Sequence, residues 1–96
     1  MQQGDAISRK DGGREDAEAL ALRALVWMLV EPPRAMRLLD VTGLVPADLR
    51  ARASDPAVLT AALGFLEAHE PDLIACADAL DVKPGALVEA RERLEN

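Results

Sequence analysis

Aromatic residues are nearly absent from this chain of 96 residues: Trp27 and Phe65 stand alone, and there is no tyrosine. A core without aromatics must be filled by Leu, Val and Ala, which favours closely packed helices over a sheet. Cys76 is the single cysteine and His69 the single histidine. An internal disulfide is therefore excluded, and no metal-ligand spacing can be drawn. Basic residues are outnumbered, 11 against 17 acidic, and the net charge of −6 argues against a broad phosphate-binding surface. No basic segment followed by an apolar run opens the chain, so no secretory signal is read and the cytoplasm is the default compartment. There is no Walker loop, no glycine-rich fingerprint after a strand and no G-x-S-x-G elbow. Catalysis needs at least two polar groups converging in a pocket. The sequence offers no such set, so we expect a non-enzyme without cofactor or metal.

Half of the residues are apolar, which is not a disordered composition. The length suits one domain with one core. The stretch Ala19–Val30 has eleven apolar residues in twelve, interrupted by Arg23. Leu22, Leu25, Val26 and Leu29 fall at i, i+3, i+4 and i+7, one face of a helix. Ala21, Ala24 and Met28 widen that stripe until nearly the whole circumference is apolar, as in a buried helix. Twelve residues rise only about 18 Å, well short of a bilayer core. This stretch is expected to be the central helix of a small all-α bundle of five or six helices, and no membrane segment is expected.

Residues 1–13 contain Gly4, Gly12 and Gly13 and little apolar content, and are expected to form a disordered tail. The remaining residues, 14–96, form the single helical domain. Its first helix runs from about Arg14 to Glu31, with Glu15, Asp16 and Glu18 complementing the dipole at its start. Pro32-Pro33 stops it. The prolines then act as punctuation, because a first helical position tolerates the missing N–H. Helices are predicted over about 33–40, 46–53 and 56–68, and after Pro71 and Pro84. Met36 and Leu39, with Leu38 as a further candidate, point inward on the second helix, and Gly43 supplies its left-handed end. Asp55 is the N-cap before Pro56. Leu59, Ala62, Leu63 and Leu66 form the inner face of the fourth helix. Leu73, Ile74, Ala77 and Leu80 do so on the fifth, and Leu87, Ala90, Arg91 and Leu94 on the sixth. No segment alternates with period two, so no sheet is predicted.

Three constellations could carry function. Residues 77–87 have the pattern of a helix-turn-helix corner, with Ala77, Leu80, Val82 and Leu87 in its apolar roles and Asp81 at the turn position that usually holds glycine. Aspartate tolerates the left-handed region better than most residues, so the corner can form. Its charges disfavour DNA: residues 70–96 carry seven carboxylates against three bases, and Glu89 and Glu92 stand where base-reading side chains would be. Glu67, His69, Glu70 and Asp72 cluster at one helix junction, but a single histidine makes a poor metal site. Trp27 and Met28, with Arg34 and Arg37 on the next helix, form the candidate partner surface, since Trp, Met and Arg are favoured at interfaces. Cys76 is expected to be a buried, unreactive thiol.

The run Leu38-Leu39-Asp40-Val41-Thr42-Gly43-Leu44-Val45-Pro46-Ala47-Asp48-Leu49-Arg50 is the most distinctive stretch. Asp55-Pro56, Leu63-Gly64-Phe65-Leu66, Glu70 and the Pro84 corner continue the pattern. Over about residues 15–94 the chain resembles a family of short bacterial proteins, mostly alphaproteobacterial, known only as a domain of unknown function. The resemblance implies a small helical fold and a bacterial cytoplasmic setting, and no chemistry. Its matched positions, Gly43, Pro46, Leu49, Arg50, Asp55 and Pro56, are those that a series of helix corners needs for shape. The function expected is a non-enzymatic protein–protein interaction module, binding an unidentified protein partner or a second copy of itself. The alternative is a helix-turn-helix DNA-binding regulator using residues 72–94.

Overall fold

The computed structural model describes the backbone of residues 2–95 and the side chains of residues 13–95. Six helices follow one another: α1 Gln2–Val30, α2 Pro32–Thr42, α3 Pro46–Arg52, α4 Pro56–Ala68, α5 Glu70–Leu80 and α6 Pro84–Glu95. No strand occurs among the described residues. The bundle is all-α, as the composition predicts. The backbone of α1 begins well before Arg14. The expected tail, residues 1–13, lies almost wholly outside the residues whose side chains are described.

Proline opens α2, α3, α4 and α6 and stands second in α5. Each start tolerates it because the first helical N–H groups have no partner within the helix. Asp55 caps α4 by accepting a hydrogen bond from the Ala57 N–H at 2.9 Å. The other ends also follow local chemistry. Gly43 takes φ +76° after α2, and its N–H donates to the Leu39 carbonyl. Thr42 Oγ1 donates to the Leu38 carbonyl at 2.6 Å and accepts from the Leu44 N–H at 3.2 Å, which closes the corner into α3. Asp81 adopts φ +59°, ψ +44° after α5, with the Val82 N–H donating to the Ala77 carbonyl at 2.9 Å. This is the predicted left-handed corner, held by a residue type that tolerates the conformation better than most.

The core is shared by α1 and α4, each of which packs against α2, α5 and α6 as well as against the other. Helix α4 buries Leu59, Ala62, Leu63 and Leu66, the face its periodicity predicts, and Val58 and Phe65 beside it. Helix α6 contributes Leu87, Ala90 and Leu94, and α3 is anchored by Leu49. Helix α1 departs from expectation. Its buried face is Ala17, Ala21, Ala24, Leu25 and Met28. Val26 and Leu29, predicted to point inward with Leu25, face solvent. Because α1 is apolar all round, periodicity could not choose its inner face. Packing chose the face of small residues, which lets neighbouring axes approach closely. Two further positions are corrected for a related reason. Met36 on α2 and Ile74 on α5 are exposed, while their neighbours Leu38 and Cys76 occupy the core.

Two substitutions test this account. Leu63→Ala empties a fully buried position and should lower unfolding free energy by about 3 kcal/mol in denaturant titration. Asp55→Ala should cost about 1 kcal/mol and leave core packing unchanged.

Candidate functional site

The four residues expected to form a partner surface occupy different places. Met28 is fully buried and belongs to the core, so it cannot contribute to a surface. Trp27 is half-buried, and the Arg34 guanidinium lies over its ring, 3.5 Å from the centroid. Arg34 also donates a short hydrogen bond to the Trp27 carbonyl and lies 3.6 Å from the Glu31 carboxylate. Its Nε is buried without a partner. The pair therefore locks the α1–α2 elbow across Pro32-Pro33. Arg37 reaches α5 instead, where it forms an ion pair with Asp72 at 2.9 Å. Trp27, Arg34 and Arg37 thus act first as joints between helices.

The surface that α1 does present lies beside them. Ala19, Leu22, Val26, Leu29 and Val30 fall along one outward stripe, about 100° wide at 100° per residue. Val26 is 61% exposed, Leu29 37% and Val30 73%. Arg23 flanks the stripe on one side, its Nη2 donating to the Leu80 carbonyl at 3.1 Å. Glu18 flanks it on the other. The remaining large exposed apolar residues are Met36, Val41, Val45 and Ile74, on α2, the α2–α3 turn and α5. Among the described residues neither α4 nor α6 carries any. Sequence reasoning did not expect this exposed stripe, because it assigned Val26 and Leu29 to the core.

The polar clusters resolve into structural pairs. Glu67, read beside His69 in the sequence, turns away to α6, where the Arg91 guanidinium donates to it and to Glu95. These hydrogen bonds, the one from Glu67 first, hold the Arg91 pKa above its ordinary value. Asp72 serves Arg37 and lies 3.7 Å from His69 Nε2. Among the described residues no three of His, Cys, Asp or Glu are gathered to hold a metal ion. A cleft of about 220 Å³ between α1 and α6 is lined by Leu20, Ala86 and Ala90 with Asp16, Glu89 and Arg93. It falls below the usual size of small-molecule sites. Among the described residues no helix is long and apolar enough to cross a membrane.

Cys76 is fully buried, and its thiol is pushed up from 9.0 to about 11 by burial, against the opposing charges of Arg34 and Arg23. The folded state thus keeps a proton that the unfolded chain releases between pH 9 and 11, and stability should fall across that window as pH rises. Thermal melting at pH 8 and pH 10.5 should show a larger loss for the native chain than for Cys76→Ala. The Trp27 joint has its own test, because the lone tryptophan reports on it. Arg34→Ala should shift Trp27 emission to the red and cost about 2 kcal/mol. Arg34→Lys should not restore the emission, since an ammonium cannot stack as the planar guanidinium does.

No match was found among curated proteins or among solved structures. A family model described as a protein of unknown function (DUF3572) matches residues 14–96. It covers the chain from Arg14 in α1 through the end of α6, and the chain belongs to this family.

Proposed function

We propose that this protein is a non-enzymatic protein–protein interaction module whose docking surface is the outward stripe of α1. The observation that carries the reading is that Val26, Leu29 and Val30 form an uncharged apolar stripe left uncovered by the bundle, with Val26 and Val30 mostly in solvent and the half-buried Leu22 at its edge. Fully burying a Val or Leu side chain contributes roughly 1.5–3 kcal/mol. A partner covering three or four of these gains enough for a specific, reversible complex. The non-enzymatic part is supported by the polar side chains, which are engaged in ties between helices: Arg37 with Asp72, Arg91 with Glu67, Arg34 with Trp27. The setting we propose is the bacterial cytoplasm.

A second reading, a helix-turn-helix regulator built on residues 72–94, is favoured by the left-handed Asp81 corner between α5 and α6. It ranks second because Glu89 and Glu92 are exposed on α6 and would repel phosphate.

Val26→Asp and Val30→Asp test the first reading, because both positions are exposed and neither change should alter the melting temperature by more than about 2 °C. In nuclease-treated lysate, the native chain should hold a defined protein in fixed stoichiometry and both variants should lose it. A native chain that stays free and monomeric would overturn this reading, and one that retains duplex DNA with a steep salt dependence in lysate without nuclease would put the second reading first.

A further inference from the structure

We infer that the stripe of α1 takes a second copy of this chain, the two α1 helices packing in parallel as a short two-stranded coiled coil. This rests on the interaction reading above and names its partner. Ala19, Leu22, Val26 and Leu29 are spaced three, four and three residues apart, the spacing of alternating a and d positions. With Ala19 and Val26 at a, and Leu22 and Leu29 at d, the seam has a β-branched residue at its central a position and leucine at both d positions. Among parallel coiled coils that distribution favours two strands. Positions 21, 24 and 28, on the other side of the helix, are buried in the bundle, as is Leu25 at the g position beside Val26, and Leu22 is half-buried at the seam's edge. The body of each protomer therefore meets the seam only along one edge and leaves Ala19, Val26 and Leu29 open to a partner helix.

The charges at the margins specify the partner and its direction. Glu18 occupies the g position and Arg23 the e position that follows. In a parallel pair, g of one chain meets e of the other five residues on. Glu18 of each chain would then face Arg23 of the other, twice by symmetry. Arg23 uses one nitrogen to hold the Leu80 carbonyl, and the rest of its donors remain for this pair. An antiparallel pairing in the register that matches a with d would instead bring the two Arg23 side chains together. The seam ends where the sequence ends it: Glu15 stands at the next d position upstream, and Pro32 stops α1 downstream. Four layers make a small interface, so association is weak. The helix is already folded against its own bundle, so pairing does not bear the cost of helix nucleation.

Sedimentation equilibrium of the full chain, from micromolar to millimolar concentration, tests the inference. The expected result is a reversible dimer. Val26→Asp, on an exposed position, should weaken it at least about tenfold with an unchanged melting temperature. Glu18→Lys and Arg23→Glu should each weaken self-association. Mixed together, these two variants should form a heterodimer in preference to either homodimer, because both cross-pairs are again of opposite sign. A native chain that is monomeric throughout would overturn the self-pairing. If it nevertheless captured a protein from lysate that Val26→Asp loses, the interaction reading would stand without it. A dimer indifferent to Val26→Asp would overturn the seam. A dimer that Val26→Asp breaks, with no preference for the mixed pair, would overturn the parallel register.

Discussion

The alanine face of α1 is the constraint on which the rest of the structure depends. Ala17, Ala21 and Ala24 lie at the centre of the bundle, where α4 and α6 close on them. A chain with two aromatic residues has no large rings to fill a wide interior. Its helices must approach closely, and small side chains at the crossing make that possible. Leu25 and Met28 then fill the space at the edges of the alanine face. The consequence appears on the opposite side of the same helix. Once alanine occupies the interior, the larger Val26, Leu29 and Val30 are left in water, and the uncovered surface follows from the packing.

A second layer of order comes from arginine. Three arginines donate to carbonyls near the C-terminal ends of helices: Arg14 to Arg93 on α6, Arg23 to Leu80 on α5, and Arg34 to Trp27 on α1. Neither α1 nor α5 has a basic residue of its own in the last turn. The last four carbonyls of a helix lack intrahelical partners and carry the negative end of its dipole, so a guanidinium from another element satisfies both needs. The first two also tie parts of the chain 79 and 57 residues apart, and the third joins α1 to α2 across their elbow. Ion pairs add two more ties, Arg37–Asp72 between α2 and α5 and Arg91–Glu67 between α4 and α6. These polar groups are consumed by architecture, which leaves an apolar stripe as the surface with most to gain from a partner.

The corners of the fold were legible because their causes are local. Proline at helix starts, Gly43 and Asp81 at left-handed ends and Asp55 as a cap depend on a few neighbouring residues and on backbone sterics. The inner face of α4 was legible too, since its large residues recur on one side and its other side holds Ala57, Thr60, Ala61 and Gly64. The candidate surface was legible only as far as the helix that carries it. Met28 and Val26 differ by two positions and by nothing in apolar character that would send one inward and the other outward.

By itself, then, the sequence determined the all-α class, the positions of the helix breaks, the acidic surface and the family. Each follows from composition or from interactions within a few residues. The tertiary structure decided which side of α1 faces the core, which carboxylate each arginine reaches, and that Glu67 and Asp72 part company to serve different helices. Those outcomes depend on contacts between residues tens of positions apart, where packing volume selects among faces that periodicity leaves equivalent.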